Sequence, residues 1–141
     1  MKSLNYLNNI LAKVEAVRQG AAEALMLNDQ GNVAECTGDN IFIVKDGTVY
    51  TPPVTDGALD GITRRVVLEI CREQQIPAEE KTMNRFTVTC ADECFLTGTA
   101  AECVPVTKLD SSELGSGKIG PVTARIQARF QELTQHTGTE F

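Results

Sequence analysis

A single histidine, His136, and no C-x-x-C pair leave this 141-residue sequence without the donor spacings of a structural zinc site. Its five cysteines, Cys36, Cys71, Cys90, Cys94 and Cys103, are odd in number. With no signal-peptide pattern at the start, the odd count points to free thiols, mostly buried as small apolar side chains. Cations are scarce: 13 Lys and Arg stand against 19 Asp and Glu, a formal net charge of −6. That balance argues against a nucleic-acid surface, which needs clustered Lys and Arg. No apolar run approaches the roughly 18 residues of a membrane span, so no membrane partner is expected. A cytoplasmic location is the expectation.

What is present is an ordinary globular composition, 42% hydrophobic and 23% charged, long enough for one domain with its own core. Leu4, Leu7, Leu11 and Val14 recur at helical spacing, so an amphipathic helix starts near Ser3. "EALMLNDQGNVAEC" reads as two short strands around a polar turn, and "NIFIVKDGTVYTPP" as strands flanking the hairpin pair Asp46-Gly47. Ile62, Val66 and Ile70 then mark a helix that begins near Gly61 and stops before Pro77. "AEEKTM" predicts a strand, "NRFTVTCAD" a short helix or turn, and "ECFLTGTAAECVPVTKLD" two strands around small residues. Pro121 opens a last helix with Val122, Ile126, Phe130 and Leu133 on one face. The order suggests an α+β domain with a mixed sheet or a pseudo-barrel core, not regular βαβ winding.

Four segments could carry chemistry. "FLTGTAAE" runs an apolar strand into small residues whose uncovered amides, with two hydroxyls, can hold an anion. In "LDGITR", Gly61 frees the backbone where a helix begins, and Thr63 offers a hydroxyl in the first turn, an arrangement suited to phosphate. "AECTGDN" places Glu35 at the end of a strand, and "KSLNYL" puts Lys2 at the edge of the first helix. Singly, each has a plain structural reading: a tight strand connection, a helix capped by Asp60, a solvated glutamate, a surface lysine. "GSGKIGPVT" is not a P-loop, because Ile119 stands where Ser or Thr must follow the lysine.

Taken in order, "KSLNYL", "AECTGDNIF", "LDGITR" and "TGTAAE" resemble the fold-type IV (class IV) pyridoxal-phosphate aminotransferases over nearly the whole chain. The likeness is greatest to branched-chain amino acid aminotransferases, with D-amino acid aminotransferases and aminodeoxychorismate lyases as close relatives. It implies that residues 1–141 correspond to the larger, C-terminal, cofactor-binding domain, without the smaller N-terminal one. The "KSLN" spacing is shared with D-amino acid enzymes, whereas Tyr6 favours the branched-chain group.

The resemblance also implies roles. Pyridoxal 5′-phosphate needs a lysine to hold its aldehyde as a Schiff base and to move a proton, and that residue would be Lys2. Glu35 would face the pyridine nitrogen, and Tyr6, at i+4 from Lys2, the ring's phenolic oxygen. The phosphate would rest at Gly61, Ile62 and Thr63, with Thr99 adding a hydroxyl, while Leu59 packs on one face of the ring. Gly98, Thr99 and Ala100 would meet the substrate carboxylate. The expected reaction is transamination of branched-chain L-amino acids with 2-oxoglutarate, in a homo-oligomer. Glu35, Thr63 and Thr99 should converge on one concave site. The other outcome is a folded but catalytically inactive fragment.

Overall fold

The computed structural model describes residues 2–98, 102–110 and 112–137; of the side chains at 2–6, 8, 102 and 134–137 nothing is described. The elements in chain order are α1 (Lys2–Arg18), β1 (Leu25–Leu27), β2 (Val33–Cys36), β3 (Asn40–Lys45), β4 (Thr48–Thr51), α2 (Ile62–Glu73) and β5 (Ala78–Glu80). Then come α3 (Arg85–Thr89), β6 (Glu93–Gly98), β7 (Glu102–Pro105), β8 (Lys108–Leu109), β9 (Ser112–Glu113) and α4 (Pro121–Thr137). Strands pair in the order β5-β4-β3-β6-β7, with β4 and β5 parallel and the other pairs antiparallel. The sheet is therefore mixed, and among the described residues it stays open; the pseudo-barrel alternative is not the form taken.

The run Ile41-Phe42-Ile43-Val44 is continuously apolar because both faces of β3 are covered. Phe42 and Val44 join Phe95, Val67, Ile70, Ile126 and Phe130 under α2 and α4. Ile41 and Ile43 join Val33, Met83, Val88, Cys94, Leu96 and Leu114 on the other face. Phe42 and Phe95 are direct cross-strand partners, their rings stacked 5.0 Å apart. Asp46 and Gly47 both take positive φ, 51° and 81°, the backbone a two-residue primed turn demands.

α4 opens on a buried carboxylate. Glu93, 8% exposed, accepts the Thr123 amide at 2.7 Å and the Val122 amide at 3.3 Å, satisfying donors that no intrahelical carbonyl can reach. A Cβ at Gly120 would overlap this carboxylate, so any larger residue there would have to displace it.

Two helices turn other faces inward than their periodicity suggests. On α2 the buried stripe is Arg64, Val67, Ile70 and Cys71, whereas Ile62 in the first turn is 79% exposed. On α1 the body meets the small and polar face. Asn9 Nδ2 donates to the Thr37 carbonyl at 3.0 Å, Lys13 Nζ to Ala22 O at 2.5 Å, and Ala16 is buried. Leu7, Leu11 and Val14 point outward, all exposed.

Candidate active site

Those of the assigned residues whose side chains the structure describes lie toward the end of the sheet where β3 begins and β6 ends. Glu35, half-buried on β2, accepts the Leu59 amide on Oε1 at 2.8 Å. The Leu59 carbonyl accepts from Asn40 Nδ2 and from the Gly61 amide, each at 2.9 Å. Leu59 thus has both backbone polar groups engaged, while its side chain remains 53% exposed.

Gly61 follows as the N-cap of α2, extended at φ −77° and ψ 157°. Its lack of a side chain serves space, not an unusual dihedral: a Cβ there would stand 3.2 Å from Asn40 Oδ1. No side chain caps the helix at this residue. The amides of Ile62 and Thr63 therefore face outward at the positive end of a twelve-residue helix. Asp60 does not cap, as its place in the sequence suggested. Arg65 grips its carboxylate through Nε at 3.1 Å and Nη2 at 2.7 Å, which holds that carboxyl below its ordinary range. Arg64, 3% exposed, anchors the same turn from beneath by donating to Pro52 O at 3.2 Å and by pairing with Glu80.

Asn40 joins this turn to the other half of the site. Its cross-strand partner is Thr97, which precedes Gly98. The Thr97 hydroxyl is fully buried with no hydrogen-bond partner among the described residues. A Cβ at Gly98 would overlap Asp39 Oδ1 and lie 3.1 Å from Gly38 O, so the β2–β3 turn can rest here only against glycine. Burial first, then the charge and hydrogen bond of Glu23, push the Asp39 carboxyl above its ordinary value.

Glu35, Leu59, Gly61, Ile62, Thr63 and Gly98 are therefore brought near one another from three separate stretches of chain, with Asn40 between them. Lys2 and Tyr6 lie on the first turns of α1, with side chains outside the described residues. Thr99 and Ala100 lie wholly outside them. Among the described residues the site is an open ledge, with Leu59 and Ile62 both exposed. Cavities of about 400 and 390 Å³ lie elsewhere, one lined by Tyr50, Lys81 and Phe86, the other by Leu68, Arg72 and Glu80. Sequence reasoning missed Asn40 and Arg64. Both sit inside quoted motifs, "TGDN" and "GITR", but only the fold reveals what they hold.

Cys36, Cys71 and Cys94 are buried free thiols, Cys90 is an exposed one, and Cys103 is buried. Burial raises the Cys71 thiol to about 11 and Cys94 to about 12, and Cys36 rises from burial and then the charge of Glu23. None of these three is a ready thiolate nucleophile. Among the described residues no group of three or more His, Cys, Asp and Glu is arranged to hold a metal ion.

The model of the amino-transferase class IV family matches residues 1–109. The chain belongs to the class IV aminotransferases. Among class IV members, the branched-chain-amino-acid aminotransferase of Pseudomonas aeruginosa is 47% identical over 128 residues, 91% of this chain and 41% of that protein. That of Escherichia coli K12 is 44% identical over 126 residues, 89% of this chain and 41% of its own length. The solved class IV structure of the branched-chain amino acid aminotransferase from Thermobaculum terrenum, in its PLP-form, superposes with a TM-score of 0.90. It is 39% identical, and the match covers 93% of this chain and 43% of that one. The chain spans less than half the length of the curated relatives it matches.

Proposed function

We propose that this chain is the cofactor-binding domain, C-terminal by the resemblance, of a pyridoxal 5′-phosphate-dependent transaminase of branched-chain L-amino acids, with 2-oxoglutarate as acceptor. The observation that carries the reading is the meeting of a carboxylate, an outward apolar platform and an uncapped helix start at Glu35, Leu59 and Gly61–Thr63. That set fits a phosphorylated pyridine: anion, flat apolar ring and ring nitrogen each have a matching partner. When bound, the cofactor supplies an electron sink that stabilises the carbanion left by removing the amino acid's α-proton.

The chain's residues do the rest. Lys2 Nζ would hold the cofactor covalently and carry the α-proton. Glu35, whose Oε1 accepts the Leu59 amide, would keep a proton on the ring nitrogen. Tyr6 would donate to the ring's phenolic oxygen. The amides of Ile62 and Thr63, with the hydroxyls of Thr63 and Thr99, bind the phosphate, while Gly98, Thr99 and Ala100 seat the substrate carboxylate. Leu59 carries one face of the ring and keeps water from it.

The setting we assign is cytoplasmic branched-chain amino acid biosynthesis, in a homodimer, with amino acids and 2-oxo acids as the small-molecule partners. Among the described residues no helix is long and apolar enough to cross a membrane. A second reading is a folded but inactive fragment. Glutamate release from 2-oxoglutarate is the test, with excess pyridoxal 5′-phosphate and L-leucine or D-alanine as donor, beside an aminodeoxychorismate lyase assay. Preference for L-leucine supports the main reading. A folded chain inert to all three substrates supports the fragment, and preference for D-alanine or aminodeoxychorismate overturns the substrate assignment.

A further inference from the structure

Asn40 is the side chain on which the separate parts of the ledge converge, although it carries none of the roles assigned above. It is 6% exposed and paired in register with Thr97, next to the Gly98 turn. Its Nδ2 donates to Leu59 O across 19 residues of sequence, and its Oδ1 lies against Gly61. An asparagine at a turn ordinarily satisfies itself on backbone within a few residues of its own position. Asn40 instead reaches a distant loop and binds the one carbonyl whose amide is already held by Glu35.

Loop backbone commonly spends at least one polar group on water. Leu59 spends neither, yet its apolar side chain is turned out. Such a construction fixes a backbone so that a side chain is presented at a set height and tilt. We infer that Asn40 is a positioning residue: it holds Leu59 as a rigid platform for a flat heteroaromatic ring. It thereby sets affinity for the ring portion of a phosphorylated ligand, separately from its phosphate. The inference rests on the cofactor reading above and extends it to a residue that reading does not use.

The test uses the whole 141-residue chain labelled with ¹⁵N. Two probes are titrated: pyridoxine 5′-phosphate, which has ring and phosphate but no aldehyde to react with lysines, and inorganic phosphate. The variant is Asn40→Asp, which keeps the shape and replaces the donor with a second acceptor facing the Leu59 carbonyl. Shifts of the Leu59–Thr63 amides report binding. We expect Asn40→Asp to weaken pyridoxine 5′-phosphate about ten-fold and inorganic phosphate by no more than about two-fold. Equal weakening of both, as a general loosening would give, or no change in either, overturns the inference. If the variant does not fold, the parent chain decides: the Asn40 side-chain amide resonances shift with pyridoxine 5′-phosphate and not with phosphate. Resonances that ignore the ring overturn it. A parent chain whose Leu59–Thr63 amides respond to neither probe overturns the cofactor reading itself, and this inference with it.

Discussion

The Glu35 carboxylate and the Leu59 amide meet at 2.8 Å, joining the end of β2 to the loop that opens α2. Two motifs separated by 24 positions thereby become one surface. Glu35→Gln keeps an acceptor oxygen for this amide, whereas Glu35→Ala leaves the amide to water. We expect Glu35→Ala to cost about 1 kcal/mol of stability in urea unfolding, and Glu35→Gln to lie near the parent. If the two variants lose equal stability, the carboxylate does not hold Leu59.

The cap of α4 makes a larger claim. Glu93 is buried against the first amides of that helix, and its loss leaves donors without water to replace it. Glu93→Ala is expected to cost about 2 kcal/mol, at the upper end for a cap. Gly120→Ala should be destabilising as well, because its Cβ displaces the same carboxylate. Far-UV circular dichroism against urea reads both, and additive losses in the double variant would contradict the shared cause.

Asp39 gives the fold a pH dependence of known sign. Its carboxyl is raised in the folded chain by burial and by Glu23. Above the ordinary carboxylate value of 3.8, the unfolded chain has released this proton while the native chain still holds it. Stability therefore falls as pH rises through the window between the ordinary value and the raised one. Asp39→Asn abolishes that contribution, so the variant should gain on the parent more at about pH 7 than at about pH 4 in urea midpoints. A gap between the two proteins that does not change with pH would contradict it.

Much of this architecture was legible wherever the signal is local. Asp46-Gly47 specifies its own turn, and the apolar run of β3 declares a strand covered on both faces. Four-residue spacing located α2 but misjudged Ile62, because periodicity marks an apolar face and not how far along the helix that face is covered. The same limit hid the orientation of α1. Leu7, Leu11 and Val14 form a real stripe, but Asn9, Lys13 and Ala16 are what the body holds. Glu35, Leu59 and Thr63 were singled out in the sequence by the family resemblance, and the structure sets Glu35 on the Leu59 amide. Asn40 was not, since its hydrogen bond to Leu59 appears only when β3 meets the turn before α2.

That outward stripe on α1 predicts association. Leu7, Leu11 and Val14, with Ile10 and Val17 beside them, leave a contiguous apolar face in water. Light scattering should show self-association that grows with concentration, and Leu7→Lys with Leu11→Lys should reduce it. A clean monomer over a wide concentration range would contradict this.

With Leu59 and Ile62 both open to solvent, the chain is expected to be purified without pyridoxal 5′-phosphate and to bind it only weakly when it is added. Binding at the proposed site still has a chemical signature, because it places the aldehyde beside one particular amine. Incubation with pyridoxal 5′-phosphate, borohydride reduction and peptide mapping would count the label on Lys2, Lys13, Lys45, Lys81, Lys108 and Lys118. The account predicts that Lys2 is labelled first, at the lowest cofactor concentration, and that excess pyridoxine 5′-phosphate protects it. Label spread over the lysines by exposure alone, with Lys2 neither favoured nor protected, would contradict it.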